Sequence, residues 1–130
     1  ANKDKGIYLH DSVKRNDVPA TIMQYDVTLV PLIKPIFGAV PSKIYEAMAA
    51  GLPIIFTGGG EGAVLIEQHK AGWVCEPADY TAIKNRIAAI ATMNQEELLA
   101  IKNNCVNAAR NIFNREMQID NLHLFLSNSN

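Results

Sequence analysis

The densest chemistry in this sequence lies in Pro41-Ser42-Lys43-Ile44-Tyr45-Glu46. A hydroxyl, a fixed positive charge and the open amides of a helix start share one turn. Unpaired N–H groups and the positive end of the helix dipole attract phosphate there. Glu46, four residues beyond Ser42, lies on the same side of the helix. Its carboxylate is not attracted to phosphate, but it suits two neighbouring sugar hydroxyls, which it can accept together. One side of the turn would then hold phosphate while Glu46 holds a pentose. A purely structural role fits the same residues: Ser42 caps, Lys43 is solvated and Glu46 offsets the dipole.

A second pattern is Gly58-Gly59-Gly60-Glu61-Gly62-Ala63, placed after a strand-like run and before a helical one. It approaches the Gly-x-Gly-x-x-Ala fingerprint of a dinucleotide site, with Glu76 as the ribose acid at the end of the next strand. A tight turn explains the glycines equally, and the fingerprint normally opens a fold, whereas here two strands precede it. His10 and Asp11 end a strand-like run on the ligand side, and Asp26 satisfies backbone amides ahead of another. His10, His69 and His123 show no ligand spacing with Cys75 or Cys105, so no metal site is expected. Neither cysteine has a base beside it in sequence, and no catalytic residue is identified.

These residues need a scaffold, and the chain alternates between the two periodicities. Gly6–His10 is a short β-rich run. Val18–Gln24 can form about two helical turns, with Asp17 as cap and Pro19 in the first turn. Asp26–Leu32 is nearly continuously apolar, which suits a strand covered on both faces of a parallel sheet. Ser42 caps a helix over Lys43–Ala50; Gly51 supplies its left-handed end and Pro53 prevents continuation. Ile54–Thr57 is a second buried strand, Ala63–Lys70 a helix stopped at Gly72, and Trp73–Cys75 a third strand. Asp79 caps Tyr80–Thr92, Asn94 opens a long helix to about Phe113, and Asn114 caps Arg115–Leu126. Phe56 and Trp73 are expected in the core. Met48, Met93 and Met117 are expected to fill apolar interfaces, and His69 and Lys70 to close a helix. Strand and helix in alternation predict an α/β fold: a single domain over 1–130, a partial Rossmann-like parallel sheet flanked by helices, with C-terminal helices over about 95–126.

The 130 residues carry 12 Lys plus Arg against 13 Asp plus Glu, for a net charge of -1; 48% are hydrophobic. That balance excludes the basic stripe of a nucleic-acid binder. No apolar run reaches the roughly 18 residues of a membrane span. The polar Ala1–Lys5 start shows no signal segment, and two distant cysteines need no disulfide, so a reducing cytoplasm is expected.

Four segments recur in a familiar order: Tyr25–Leu32, Pro41–Ile55, Gly60–Ala63 and Ala71–Asp79. They resemble the C-terminal, donor-binding half of retaining glycosyltransferases of family four, which have the two-domain GT-B fold. The Glu-Ala-Met-Ala-x-Gly-x-Pro stretch is the most specific part, and Pro-Ser-Lys before it is similar to enzymes of bacterial capsule and O-antigen synthesis. The resemblance implies a nucleotide-diphosphate sugar as substrate, with UDP as the nucleotide, no cofactor and no metal. It implies that Glu46 binds the ribose and that the amides of Ile44 and Tyr45 meet the diphosphate, beside Ser42 and Lys43. Ser12 and Val13 match the loop whose backbone touches the base. An acceptor domain would precede residue 1, and the parent would be a hexosyltransferase building a surface polysaccharide or extending a lipid-linked acceptor at the inner face of a bacterial membrane.

Three departures stand out. The glutamate that contacts the donor sugar should fall at position 38, where Gly38 stands; an alternative alignment puts Pro35 there. The family's Arg and Lys pair for the diphosphate is absent, as are about three strands of the usual sheet. The chain is thus expected to be an excised portion, inactive alone, with an exposed strand edge that favours a homo-oligomer. Gly38 also leaves open a catalytically silent binding module. The Val30–Val40 stretch, with Ile33, Ile36 and Phe37, is apolar for a connection and suits either a further domain or a peripheral membrane contact.

Overall fold

A computed structural model describes residues 5–34 and 36–128; residues 1–4, Pro35 and the last two residues, including the start and the alternative alignment position considered above, lie outside the described residues. The elements follow the order α1 (Val18–Ile22), β1 (Thr28–Pro31), α2 (Ser42–Ala49), β2 (Ile54–Thr57), α3 (Glu61–Gln68), β3 (Gly72–Cys75), α4 (Tyr80–Ala91), α5 (Gln95–Asn111) and α6 (Arg115–Ser127). A 3-10 turn over Arg15–Asp17 leads into α1. The three strands pair in parallel in the order β1-β2-β3. The α/β architecture with a partial Rossmann-like sheet is therefore what the chain forms.

The central strand β2 is buried at every position, as four apolar or small residues in succession require of a strand with helices on both faces. Its side chains alternate. Ile54 and Phe56 join the larger core with Ile44, Met48, Ile66 and Cys105, from α2, α3 and α5. Ile55 enters the opposite core with Cys75 and Ile90, under α4. Fully burying a side chain such as Phe56 contributes roughly 1.5–3 kcal/mol.

The end of α2 is set by Gly51 at φ +66°. Leu52 N–H donates to Ala47 O at 2.9 Å and Gly51 N–H to Met48 O at 3.0 Å, the paired bonds that close a helix through a left-handed residue. The caps at Asp79, Asn94 and Asn114 form as expected, each side chain accepting from the first turn of its helix.

Several expectations are corrected. Gly6–His10 is not a strand: Ile7, Tyr8 and Leu9 are exposed, because a short apolar run becomes a strand only against a partner edge. β1 is covered on one face only, since it lies at the sheet edge and Leu29 faces out. Asp17 makes no side-chain cap, because the preceding 3-10 turn draws it into helical geometry. Helix α1 ends at Ile22, two residues short of Gln24. Ser42 is the first residue of α2 rather than its cap, which is Pro41. Helix α3 spans Glu61–Gln68 and is stopped by Lys70 in the left-handed region, with Ala71 N–H donating to Ile66 O, rather than by Gly72. Trp73 packs against the smaller core as expected but is only half-buried, and carries the Arg86 guanidinium over its ring at 5.7 Å. Met117 is exposed, because α6 buries none of its residues.

Candidate functional site

Ligands of open parallel sheets bind beyond the carboxyl ends of the strands. Here β1 delivers the chain into the 32–41 loop, which ends at the start of α2. The inward residues Ile44, Ala47 and Met48 anchor that helix against the sheet. The same periodicity turns Ser42, Lys43 and Glu46 outward, and all three are exposed. Glu46 points into a groove of about 590 Å³ between α2 and the 13–23 segment, lined also by Val13, Arg15, Lys43, Ala49 and Ile22. Two residues from separate parts of the chain, Val13 and Glu46, thus meet in one groove with an apolar floor and a charged mouth. Ser12, exposed, does not line it.

The Glu46 carboxylate lies 3.8 Å from Lys43 Nζ. This is a long, exposed pair, of the kind that contributes no more than about 1 kcal/mol. A ligand hydroxyl can therefore take Glu46 at little cost. The open amides are those of Ser42 and Lys43. Ile44 N–H donates to Pro41 O at 3.0 Å, and a helix beginning at Ser42 takes Tyr45 N–H into its ladder as the first donor. The resemblance pointed to Ile44 and Tyr45; the backbone moves the available donors to the two residues before them. The side chains agree: Ile44 is fully buried, and the Tyr45 ring stacks edge-on to Phe113 at 5.1 Å on another face of α2.

Arg15 is a functional candidate that the sequence reading missed. Its signal was available, since Lys14 and Arg15 follow directly on Val13. Asp26 does not satisfy local amides; it accepts from Lys102 Nζ at 3.0 Å, and tethers the approach to β1 onto α5. His10 and Asp11 are exposed, in a stretch without regular structure. His69 packs edge-on against Phe113. Among the described residues, no three His, Cys, Asp or Glu side chains cluster closely enough to hold a metal ion. Also among them, no helix is long and apolar enough to cross a membrane.

Gly38, at φ +76°, donates its N–H to Glu61 Oε1 at 2.9 Å. This bond joins the loop after β1 to the first turn of α3. The Gly38 amide, followed by the residue's own amide, holds the exposed Glu61 carboxyl below the usual carboxylate range.

The sequence pattern described as "Glycosyl transferases group 1" matches residues 1–111. The chain belongs to this glycosyltransferase family. Among curated relatives, the "Putative colanic acid biosynthesis glycosyltransferase WcaL" of Escherichia coli (strain K12) is 28% identical over 105 residues, covering 78% of this chain and 26% of its own length. The "Probable glycosyltransferase WbjE" of Pseudomonas aeruginosa is 38% identical over 76 residues, 56% of this chain and 19% of its own. The WcaL protein of Salmonella typhimurium is 29% identical over 89 residues, 66% and 22%. The chain thus spans about a quarter or less of the length of these relatives. No solved structure matches it significantly.

The first turn after the glycine-rich loop is unfavourable for a dinucleotide phosphate. An ionised Glu61 in the first turn of α3 repels the pyrophosphate that the fingerprint would place there. Glu76 lies instead in a groove under α4, with Asp79 and Arg86.

Proposed function

We propose that this chain binds the nucleotide-sugar donor of a retaining glycosyltransferase, with UDP as the nucleotide. The observation that carries the reading is the groove in which Glu46 and Lys43, at the start of α2, face Val13 and Arg15. Glu46 accepts bonds from the ribose hydroxyls, and the Val13 segment meets the base. The open amides of Ser42 and Lys43, with the Lys43 ammonium, take the diphosphate. The same donors become more important as the sugar leaves, because charge grows on the departing diphosphate and fixed dipoles need no reorganisation to meet it. Arg15 adds a second cation at the mouth of the groove.

The acceptor is a surface polysaccharide or a lipid-linked sugar, and the reaction a hexosyl transfer at the cytoplasmic face of a bacterial membrane. The colanic acid biosynthesis named for two of the relatives supports the polysaccharide setting. The acceptor domain lies outside this chain, so the isolated chain is expected to bind donor without transferring sugar. Ile33 and Phe37, largely exposed on the 32–41 loop, suit a contact with that domain or with the membrane. Both β1 and β3 are sheet edges, which favours self-association of the isolated chain; a monomer at high concentration in sedimentation velocity would remove that part.

Calorimetric titration with UDP and, separately, with NAD tests the reading. Saturable UDP binding that competes with UDP-hexoses is expected, with none for NAD. Binding of NAD but not UDP overturns it. The complete gene product, given a panel of nucleotide sugars, should transfer a hexosyl group from one of them.

A further inference from the structure

We propose that Glu61 is the acidic contact for the sugar of the donor, a specificity-determining residue reaching the site from α3 rather than from the loop after β1. The proposal rests on the nucleotide-sugar reading above. The loop after β1 carries no acid between Leu32 and Ser42. Yet the Gly38 amide holds a carboxylate, that of Glu61, at 2.9 Å. An acid thus stands against that loop, supplied from a residue 23 positions later in the chain.

Its place fits a sugar. Glu61 opens the helix after β2, beyond the carboxyl end of the sheet's central strand. Gly38 is four residues before Ser42. Even fully extended, that stretch spans at most about 14 Å. Glu61, bonded to Gly38, therefore stands no more than about 17 Å from Ser42, close enough to face a sugar attached to a diphosphate at the Ser42 and Lys43 amides. The two loops also meet closely beside the carboxylate. A Cβ on Gly60 would come within 2.7 Å of Ile36 O, so the two loops touch backbone to backbone just before Glu61. A carboxylate offers about four acceptor sites, more than its two amide partners use. Glu61 also walls an apolar cleft of about 440 Å³ with Phe37 and Val64, and Gln68 is a further polar group in it. An apolar cleft with few polar groups is the general form of a small-ligand site.

The competing role is a pin that only joins two loops. Glu61→Gln separates the two, because its side-chain carbonyl still accepts from Gly38 N–H while the charge is lost. Calorimetry on the protein would compare UDP with a set of UDP-hexoses that differ in single hydroxyls. Expected for Glu61→Gln is UDP affinity within twofold of the parent. Affinity for the preferred UDP-hexose should fall about ten- to hundredfold, as for loss of a charged hydrogen-bond acceptor. Preference among the epimers should shrink with it. A Glu61→Gln protein that keeps both the parent's affinity and its epimer preference overturns the proposal and leaves the UDP site standing. Absence of UDP and UDP-hexose binding in the parent overturns both readings together. Circular dichroism confirms that each variant is folded, and Glu61→Asp, which keeps the charge on a shorter arm, should retain epimer preference better than Glu61→Gln.

Discussion

The Thr57 hydroxyl donates to the Leu32 carbonyl at 3.2 Å, and the Leu32 amide donates back to the Thr57 hydroxyl oxygen at 3.0 Å. Thr57 pairs with Pro31 in the last rung of the ladder, so this exchange extends the sheet by one residue on the side where Pro31 has no N–H to give. It also fixes where the chain leaves β1 for the loop that carries Gly38 and ends at Ser42. The start of the loop that leads to α2 is thus held in part by a buried hydroxyl on the neighbouring strand.

Thr57→Val keeps the shape and removes the hydroxyl. The Leu32 amide retains the Thr57 backbone carbonyl at 2.8 Å, so only the side-chain bonds are lost. The expected cost is about 1–2 kcal/mol in urea unfolding, with Thr57→Ser closer to the parent. A valine variant as stable as the parent would show that the exchange is incidental.

Gly72 lies in register with Ile54. An ideal Cβ on Gly72 would sit 1.9 Å from the Ile54 carbonyl oxygen, which belongs to rigid strand backbone rather than a movable side chain. Gly72→Ala must therefore push β3 away from β2. We expect a loss of at least about 3 kcal/mol, read as a lowered urea midpoint and melting temperature. A soluble alanine variant melting within a few degrees of the parent would contradict the close approach.

Much of the scaffold was legible because its signals are local. Ile54–Thr57 is apolar throughout and bounded by Pro53 and Gly58; Asp79, Asn94 and Asn114 each precede a helical run that needs a donor-satisfying side chain. What failed depended on partners elsewhere. Gly6–His10 has the composition of a strand but pairs with nothing, and β1 looked buried because its sequence does not reveal that it lies on an edge. Within the site, the shared orientation of Ser42, Lys43 and Glu46 follows from helix geometry and was readable. The identity of the open amides was not, since it depends on where the helix starts to within one residue. The Gly38–Glu61 and Asp26–Lys102 contacts join residues far apart in sequence, and no periodicity announces them.

Cys105, fully buried in α5, donates its thiol toward Ala71 O at 3.4 Å, and burial pushes its pKa up from 9.0 to about 11. The folded protein therefore keeps a proton that the unfolded chain has released between those values. Stability should be insensitive to this group below about pH 9 and fall as pH rises from there toward 11, by up to about 1.4 kcal/mol per pH unit. Unfolding midpoints across that range, compared with Cys105→Ala, isolate the contribution. The thiol should also resist a disulfide reagent at pH 8 in the native protein and react on denaturation.

Glu46 and Lys43 separate binding from stability. Their pair is long and exposed, so Glu46→Gln and Lys43→Met should each leave the melting temperature within about 2 °C of the parent. Their effects on ligands should differ. Under the proposed assignment Glu46→Gln removes the charged acceptor for ribose hydroxyls, and UDP affinity is expected to fall about ten- to hundredfold, with affinity for inorganic pyrophosphate unchanged. Lys43→Met removes a cation but keeps its backbone amide, so UDP and pyrophosphate affinity should fall together, by a smaller factor that shrinks as salt is raised. Deoxyuridine diphosphate supplies the control, because it lacks one of the two ribose hydroxyls and should bind the parent less tightly while binding Glu46→Gln about as well as UDP does. Equal losses for UDP and pyrophosphate in Glu46→Gln would mean that the carboxylate acts on the phosphate side, and the assignment of the pentose to it would be wrong.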